Sequence, residues 1–71
     1  MKIVLNGEEK QVEKVSNITQ LLEVAKVKMP EMVSVEVNGE IIDREAFDTF
    51  SIKEGDQVEF LYFMGGGSVG F

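Results

Sequence analysis

The sequence predicts a small α+β domain in which one amphipathic helix covers a mixed sheet of four to five strands. Three observations predict it. Two Asn-Gly pairs, Asn6-Gly7 and Asn38-Gly39, each lie between runs with strand character, and this dipeptide is the strongest short-range hairpin signal. Between them, Ile18, Leu21, Leu22 and Ala25 recur at helical spacing. Towards the end, Gln57 to Phe63 alternates two side-chain sets, one apolar throughout (Val58, Phe60, Tyr62) and one that includes Leu61 and Phe63. A chain of 71 residues holds one domain and no second. One helix across one sheet is an economical way to bury apolar faces at that length.

The elements follow in order. MKIVLNGEEKQVE reads as a hairpin. Ile3 and Leu5 share one face, Gly7 supplies the positive φ of the turn, and Val12 continues the returning strand. Ser16 to Lys28 reads as the helix, capped by Ser16 or Asn17. Met29 extends its apolar stripe, Lys26 and Lys28 set positive charge at its C-terminal end, and Pro30 stops it. Val33, Val35 and Val37 alternate with Ser34 and Glu36 as a half-buried strand, and Ile41-Ile42 start a short fourth one. Arg44 to Phe50 is a loop or a single helical turn with Phe47 and Phe50 as apolar plugs. In it, Arg44 has Asp43, Glu45 and Asp48 as nearby ionic partners. Lys53 to Asp56 is a turn. In the last strand, Val58, Phe60 and Tyr62 belong with the helix stripe, while Glu59, Leu61 and Phe63 face the other way. The order ββαββ matches the β-grasp, or ubiquitin-like, fold, in which the first and last strands lie side by side in parallel. Residues 1–64 form that domain, and 65–71 form a flexible, glycine-rich tail.

Composition narrows the function. The chain has no cysteine and no histidine. It therefore has no thiolate nucleophile, and it lacks the commonest general base and metal ligand. The carboxylates of Glu8-Glu9 and Asp43-Arg44-Glu45 have no such residue to complete a catalytic or metal-binding set, so they read as solvated surface. A net charge of −6 disfavours nucleic acid and suits a basic docking face. The N-terminus turns polar after five residues, with no signal-like or membrane-spanning run, so the reading is cytoplasmic. A sheet with its helix on one side leaves the other face to solvent. Val4, Leu61 and Phe63 fall there, and an exposed apolar patch of that kind marks a partner site. Met64, beside the tail, is a further contact candidate. Gly65-Gly66-Gly67 has no side chains to obstruct entry into a narrow channel.

Taken together, IVLNGEE, ITQLLEVAKV, SVEVNGEII followed by DREAF, and IKEGDQVEFLYFMGGG resemble the ThiS branch of the ThiS/MoaD ubiquitin-like sulfur carriers, from Met1 to Gly67. The resemblance implies a protein cosubstrate, not an enzyme. A ThiF/MoeB-like activating enzyme would use ATP to adenylate the carboxylate of Gly67, which with Gly66 matches the family's terminal Gly-Gly. Sulfur would then displace AMP and leave a thiocarboxylate. It also implies that the carrier itself holds no cofactor. Oligomeric state is not set by the sequence, and a monomer that forms transient complexes is the default expectation. Gly65 and Gly66 would thread the enzyme's channel, and Leu61 and Phe63 would dock partners. The recipient would be a sulfur-accepting synthase such as thiazole synthase, for the thiazole of thiamin. Carriers for cysteine, homocysteine/methionine or molybdopterin-type cofactors are alternatives, as is a ubiquitin-like interaction or modifier protein. One departure stands out. Ser68-Val69-Gly70-Phe71 follows the glycines, whereas the family mostly ends at them. A peptidase removes these residues, or they are a remnant of divergence, or they are foreign to the natural chain.

Overall fold

Each Asn-Gly pair takes two consecutive left-handed conformations, with φ of 51° and 85° at Asn6 and Gly7 and of 53° and 87° at Asn38 and Gly39. This turn has the twist that flanking strands require. In the computed structural model, which describes residues 1–62, the first turn joins β1 (Lys2–Leu5) to β2 (Glu8–Gln11). The second joins β3 (Val33–Val37) to β4 (Glu40–Ile42). Between the two hairpins lies β5 (Gln57–Tyr62), parallel to β1 and antiparallel to β3, giving the order β2-β1-β5-β3-β4. This is the β-grasp arrangement that the element order predicts, with five strands. The expected tail, 65–71, lies outside the described residues.

The two asparagines do more than turn the chain. The Asn6 side-chain oxygen accepts the Phe60 N–H at 2.9 Å, and that of Asn38 accepts the Gln57 N–H at 3.0 Å. Each occupies a ladder position that the neighbouring strand is too short to fill, so these two N–H groups of β5 are paired.

The helix, α1 (Ile18–Val24), is shorter than the periodicity suggests. Lys26 takes φ 58°. Its N–H donates to the Glu23 carbonyl at 3.1 Å, and that of Val27 donates to Leu22 at 3.2 Å. This paired closure usually employs glycine, and it turns Val27 back against the core. Met29 therefore does not continue the stripe and stands 50% exposed. Lys26 and Lys28 lie past the helix end, and Pro30 starts a separate 3-10 turn (Pro30–Met32). A helix of two turns is marginal alone, and its N-terminus is fully satisfied here. Ile18 and Thr19 donate to the Phe47 carbonyl, and Leu21 donates to that of Asn17. Gln20 N–H donates to the Asn17 side chain at 2.8 Å. Asn17 is thus the cap, while Ser16 donates to the Gln20 side chain through both N–H and hydroxyl.

Ile18, Leu21 and Leu22 pack with Ile3, Val33, Val35 and Val58 in one core, with Phe47 and Ile52 at its margin. On β5, Val58 is fully buried, Phe60 is half-buried and Tyr62 is 45% exposed. The inward set therefore leaves the core as β5 runs past the end of the short helix. Arg44, in the 3-10 turn Arg44–Ala46, does not pair with its acidic neighbours. Its guanidinium donates to the carbonyls of Pro30 at 2.8 Å and Val33 at 2.7 Å and lies over the Phe47 ring. Its several donors let one side chain serve both carbonyls at once, whereas an exposed pair with a neighbouring carboxylate would contribute little.

Leu22→Ala is expected to cost about 2–5 kcal/mol, measured by urea denaturation; an unchanged midpoint would contradict the placement of α1. Asn6→Gly keeps the turn conformation and leaves the Phe60 N–H without its acceptor, at about 1 kcal/mol. Asn6→Asp should retain most of that stability, and equal losses from both variants would show that the acceptor oxygen is irrelevant.

Candidate functional site

The register of the strands fixes what the helix-free face of the sheet presents. Val4 is opposite Glu9 on β2 and level with Gln57 on β5, Ser34 is opposite Leu61, Glu36 is opposite Glu59, and Ile41 is opposite Glu36. Residues opposite one another share a face. Val4 and Leu61 thus both lie on this outer face, and both are half-buried. They are not side by side. Leu61 lies four residues beyond Gln57, roughly 13 Å further along the strand, and Glu59 stands between.

The middle of the face is acidic. Glu36 and Glu59 are cross-strand neighbours, and the Glu36 carboxyl is raised above its ordinary value of 4.5. The causes, largest first, are its hydrogen bond to the Glu59 carboxyl, burial, and the negative charge of Glu59. Beside them, Ile41 is 53% exposed. The sequence reading placed Ile41 in a strand without assigning it a face. Its pairing with Glu36 was the missing signal, and a three-residue strand shows no alternation from which to read it. The outer face therefore combines separate apolar points, Val4, Leu61 and Ile41, with an acidic centre. Such a surface suits a partner that brings both apolar side chains and positive charge.

The other sequence-predicted site residues, Phe63, Met64, Gly65, Gly66 and Gly67, lie outside the described residues. β5 leads directly to them, because Leu61 and Tyr62 are its last two positions. Among the described residues no cluster of three or more potential ligands is placed to hold a metal. Nor is any helix there long and apolar enough to cross a membrane.

Residues 3–67 match the model of the ThiS family. Two solved structures from Geobacter metallireducens are similar. The crystal structure of a thiamine biosynthesis protein (ThiS) is 51% identical, with TM-score 0.85, over 94% of this chain and all of that one. The solution structure of a thiamine biosynthesis protein is 48% identical, with TM-score 0.75, over all of this chain and 94% of that one. Among curated proteins, a thiazole synthase of Paramagnetospirillum magneticum is 35% identical over 96% of this chain. One of Magnetococcus marinus is 37% identical over 94% of it. This chain spans only about a fifth of the length of either, 21% and 20%.

The acidic pair makes a signed prediction. Because the Glu36 carboxyl is raised in the folded state, the native protein holds that proton more tightly than the unfolded chain. Stability should fall as pH rises from the ordinary carboxylate value through the raised one. Glu59→Gln should bring Glu36 back towards 4.5 and flatten that slope. A carboxyl titration followed by NMR would show it, and an unmoved Glu36 would dismiss the coupling.

Proposed function

This chain belongs to the ThiS family, and on that premise we propose that it is a thiamin-pathway sulfur carrier that works as a protein cosubstrate. The observation that carries this is where the family match stops. It runs to Gly67 and excludes the four residues after it. Gly67 is then the residue whose carboxyl group reacts, once hydrolysis of the Gly67–Ser68 peptide bond has released Ser68 to Phe71.

The chemistry assigned to Gly67 is a two-step exchange on its carboxyl carbon. A carboxylate oxygen attacks the α-phosphorus of ATP bound by a ThiF/MoeB-like enzyme, and pyrophosphate leaves. Hydrosulfide, or an equivalent held by the partner, then adds to the acyl carbon, and AMP departs with the bonding electrons. The product is a thiocarboxylate in place of the carboxylate. The first step is needed because a carboxylate is a poor electrophile and AMP is a good leaving group. The partner supplies the nucleotide site, the sulfur and the acid–base groups, which agrees with a carrier that has no cysteine and no histidine. Gly65 and Gly66 enter the partner's channel, while Leu61, Phe63, Val4 and Met64 form contacts outside it. The acidic centre at Glu36 and Glu59 favours a partner whose docking face is basic. The two relatives named thiazole synthase each include a stretch similar to nearly all of this chain. That supports a synthase of this kind as the recipient of the sulfur.

Intact mass of the protein recovered from its own cells tests both parts of the reading. Loss of Ser68 to Phe71, with a fraction carrying one oxygen-to-sulfur exchange, is the expected result. Gly66→Ala in a chain ending at Gly67 should leave the thermal midpoint unchanged and abolish acyl-adenylate formation with the activating enzyme and ATP. A wild-type chain ending at Gly67 that forms no adenylate would remove the carrier assignment. Normal adenylation of Gly66→Ala would remove only the channel.

A further inference from the structure

The helix side of the sheet carries a second surface, distinct from the outer face on which Val4, Leu61 and Ile41 lie. Where α1 stops and Lys26 turns the chain back, a groove of about 620 Å³ opens between the β1–β2 hairpin, the segment after the helix, and β5. Its size falls within the range of about 300–1,000 Å³ that holds one or two large side chains or a small ligand. Val24, Met29 and Tyr62 line it and are 49%, 50% and 45% exposed. They are three of the five large apolar side chains that stand exposed among the described residues. A concentration of that kind marks a contact surface rather than chance exposure.

The charge around this groove is opposite to that of the protein. Lys10, Lys26 and Lys28 line it, and no aspartate or glutamate does, in a chain with thirteen acidic and seven basic residues. Lys10 has Glu8 at 3.4 Å, an exposed pair that contributes little and exchanges readily. Lys26 and Lys28 have no ionic partner among the described residues. Their long stems also extend the apolar wall while the ammonium groups stay in water.

We propose that this groove docks an acidic peptide segment of a partner protein, with large apolar side chains seated against Val24, Met29 and Tyr62 and carboxylates facing Lys10, Lys26 and Lys28. Charge complementarity selects that occupant. The chain's own residues 63–71 contain no acidic side chain, and a second copy of this acidic protein would bring net repulsion. Methionine beside the lysines suits a surface that adapts to more than one apolar anchor. The groove lies on the opposite side of the sheet from Val4, Leu61 and Ile41. Its occupant therefore does not compete for the outer face.

The test uses the full chain, labelled with nitrogen-15, and two synthetic twelve-residue peptides of alternating Leu/Phe and charged residues, one with glutamate and one with lysine. The glutamate peptide should shift the amides of Lys10, Val24, Lys26 and Tyr62 and leave those of Val4 and Ile41 in place. Lys26→Glu together with Lys28→Glu should weaken it about tenfold, and so should a rise from low to high salt. These lysines lie at the surface past the helix end, and an unchanged amide spectrum of the double variant separates lost binding from unfolding. Equal binding of both peptides, or shifts confined to the outer face, would overturn the proposal. Two observations on the free protein would also overturn it by naming another occupant. Groove shifts on deletion of residues 68–71 would identify the protein's own tail, and groove shifts with protein concentration would identify a second copy. Neither depends on sulfur transfer, so the groove and the carrier chemistry stand or fall separately.

Discussion

The pairing of β5 between the two hairpins is the constraint on which the rest of this domain depends. A central strand pairs along both edges, and each hydrogen bond made there contributes about 1 kcal/mol. Its neighbours are short. β1 is level with β5 at only Val4–Gln57 and Leu5–Val58, and β3 ends before Gln57 is served. The protein resolves this with the turns that end those strands. Asn6 and Asn38 adopt the left-handed conformation that the hairpins need, and their side chains accept the Phe60 and Gln57 N–H groups of β5. Turn geometry and sheet closure are thus one requirement. They place both hairpins on the last strand, and the rest of the fold is arranged around it.

The same economy appears at the helix. Two turns of α-helix do not hold themselves together; α1 closes its C-terminal end locally through Lys26 and Val27 and has its N-terminal end secured by a distant loop. The carbonyl of Phe47 accepts the first two helical N–H groups. Phe47 is itself held under Arg44, whose guanidinium joins the Pro30 and Val33 carbonyls. The loop between β4 and β5 is therefore the N-terminal anchor of the helix, and Arg44 is its fastener. The exposure of Arg44 conceals a structural role.

These tertiary bonds explain what the sequence revealed and what it hid. Both hairpins, the helix stripe of Ile18, Leu21 and Leu22, the valine strand and the parallel placement of β5 beside β1 were legible. Each rests on local chemistry or on an element order with few solutions. The end of the helix was not legible. Val24 to Met29 continues an apolar pattern, and only the left-handed Lys26, an uncommon residue for that conformation, breaks it. Nor could periodicity show that Arg44 would choose distant carbonyls over three adjacent carboxylates. At the outer face, the alternation of β5 correctly separated Leu61 from Tyr62. The acidic centre at Glu36 and Glu59, and the exposure of Ile41 beside it, required cross-strand register. The glycine run was legible as composition alone, and its position at the end of β5 gives it its significance.

That position also determines how the two surfaces relate to the tail. Successive residues of a strand point to opposite faces, so Leu61 belongs to the acidic-centred outer face while Tyr62 belongs to the lysine-rimmed groove. These are consecutive residues at the end of the strand that leads to Gly65, Gly66 and Gly67. A partner on either face therefore binds within a few residues of the same glycines. The charge asymmetry across the sheet sets an acidic pair on one face and a lysine-lined groove on the other, both beside that junction. The short helix is what makes room for the second. The left-handed Lys26 ends α1 before its apolar pattern runs out, and the groove opens there beside Tyr62.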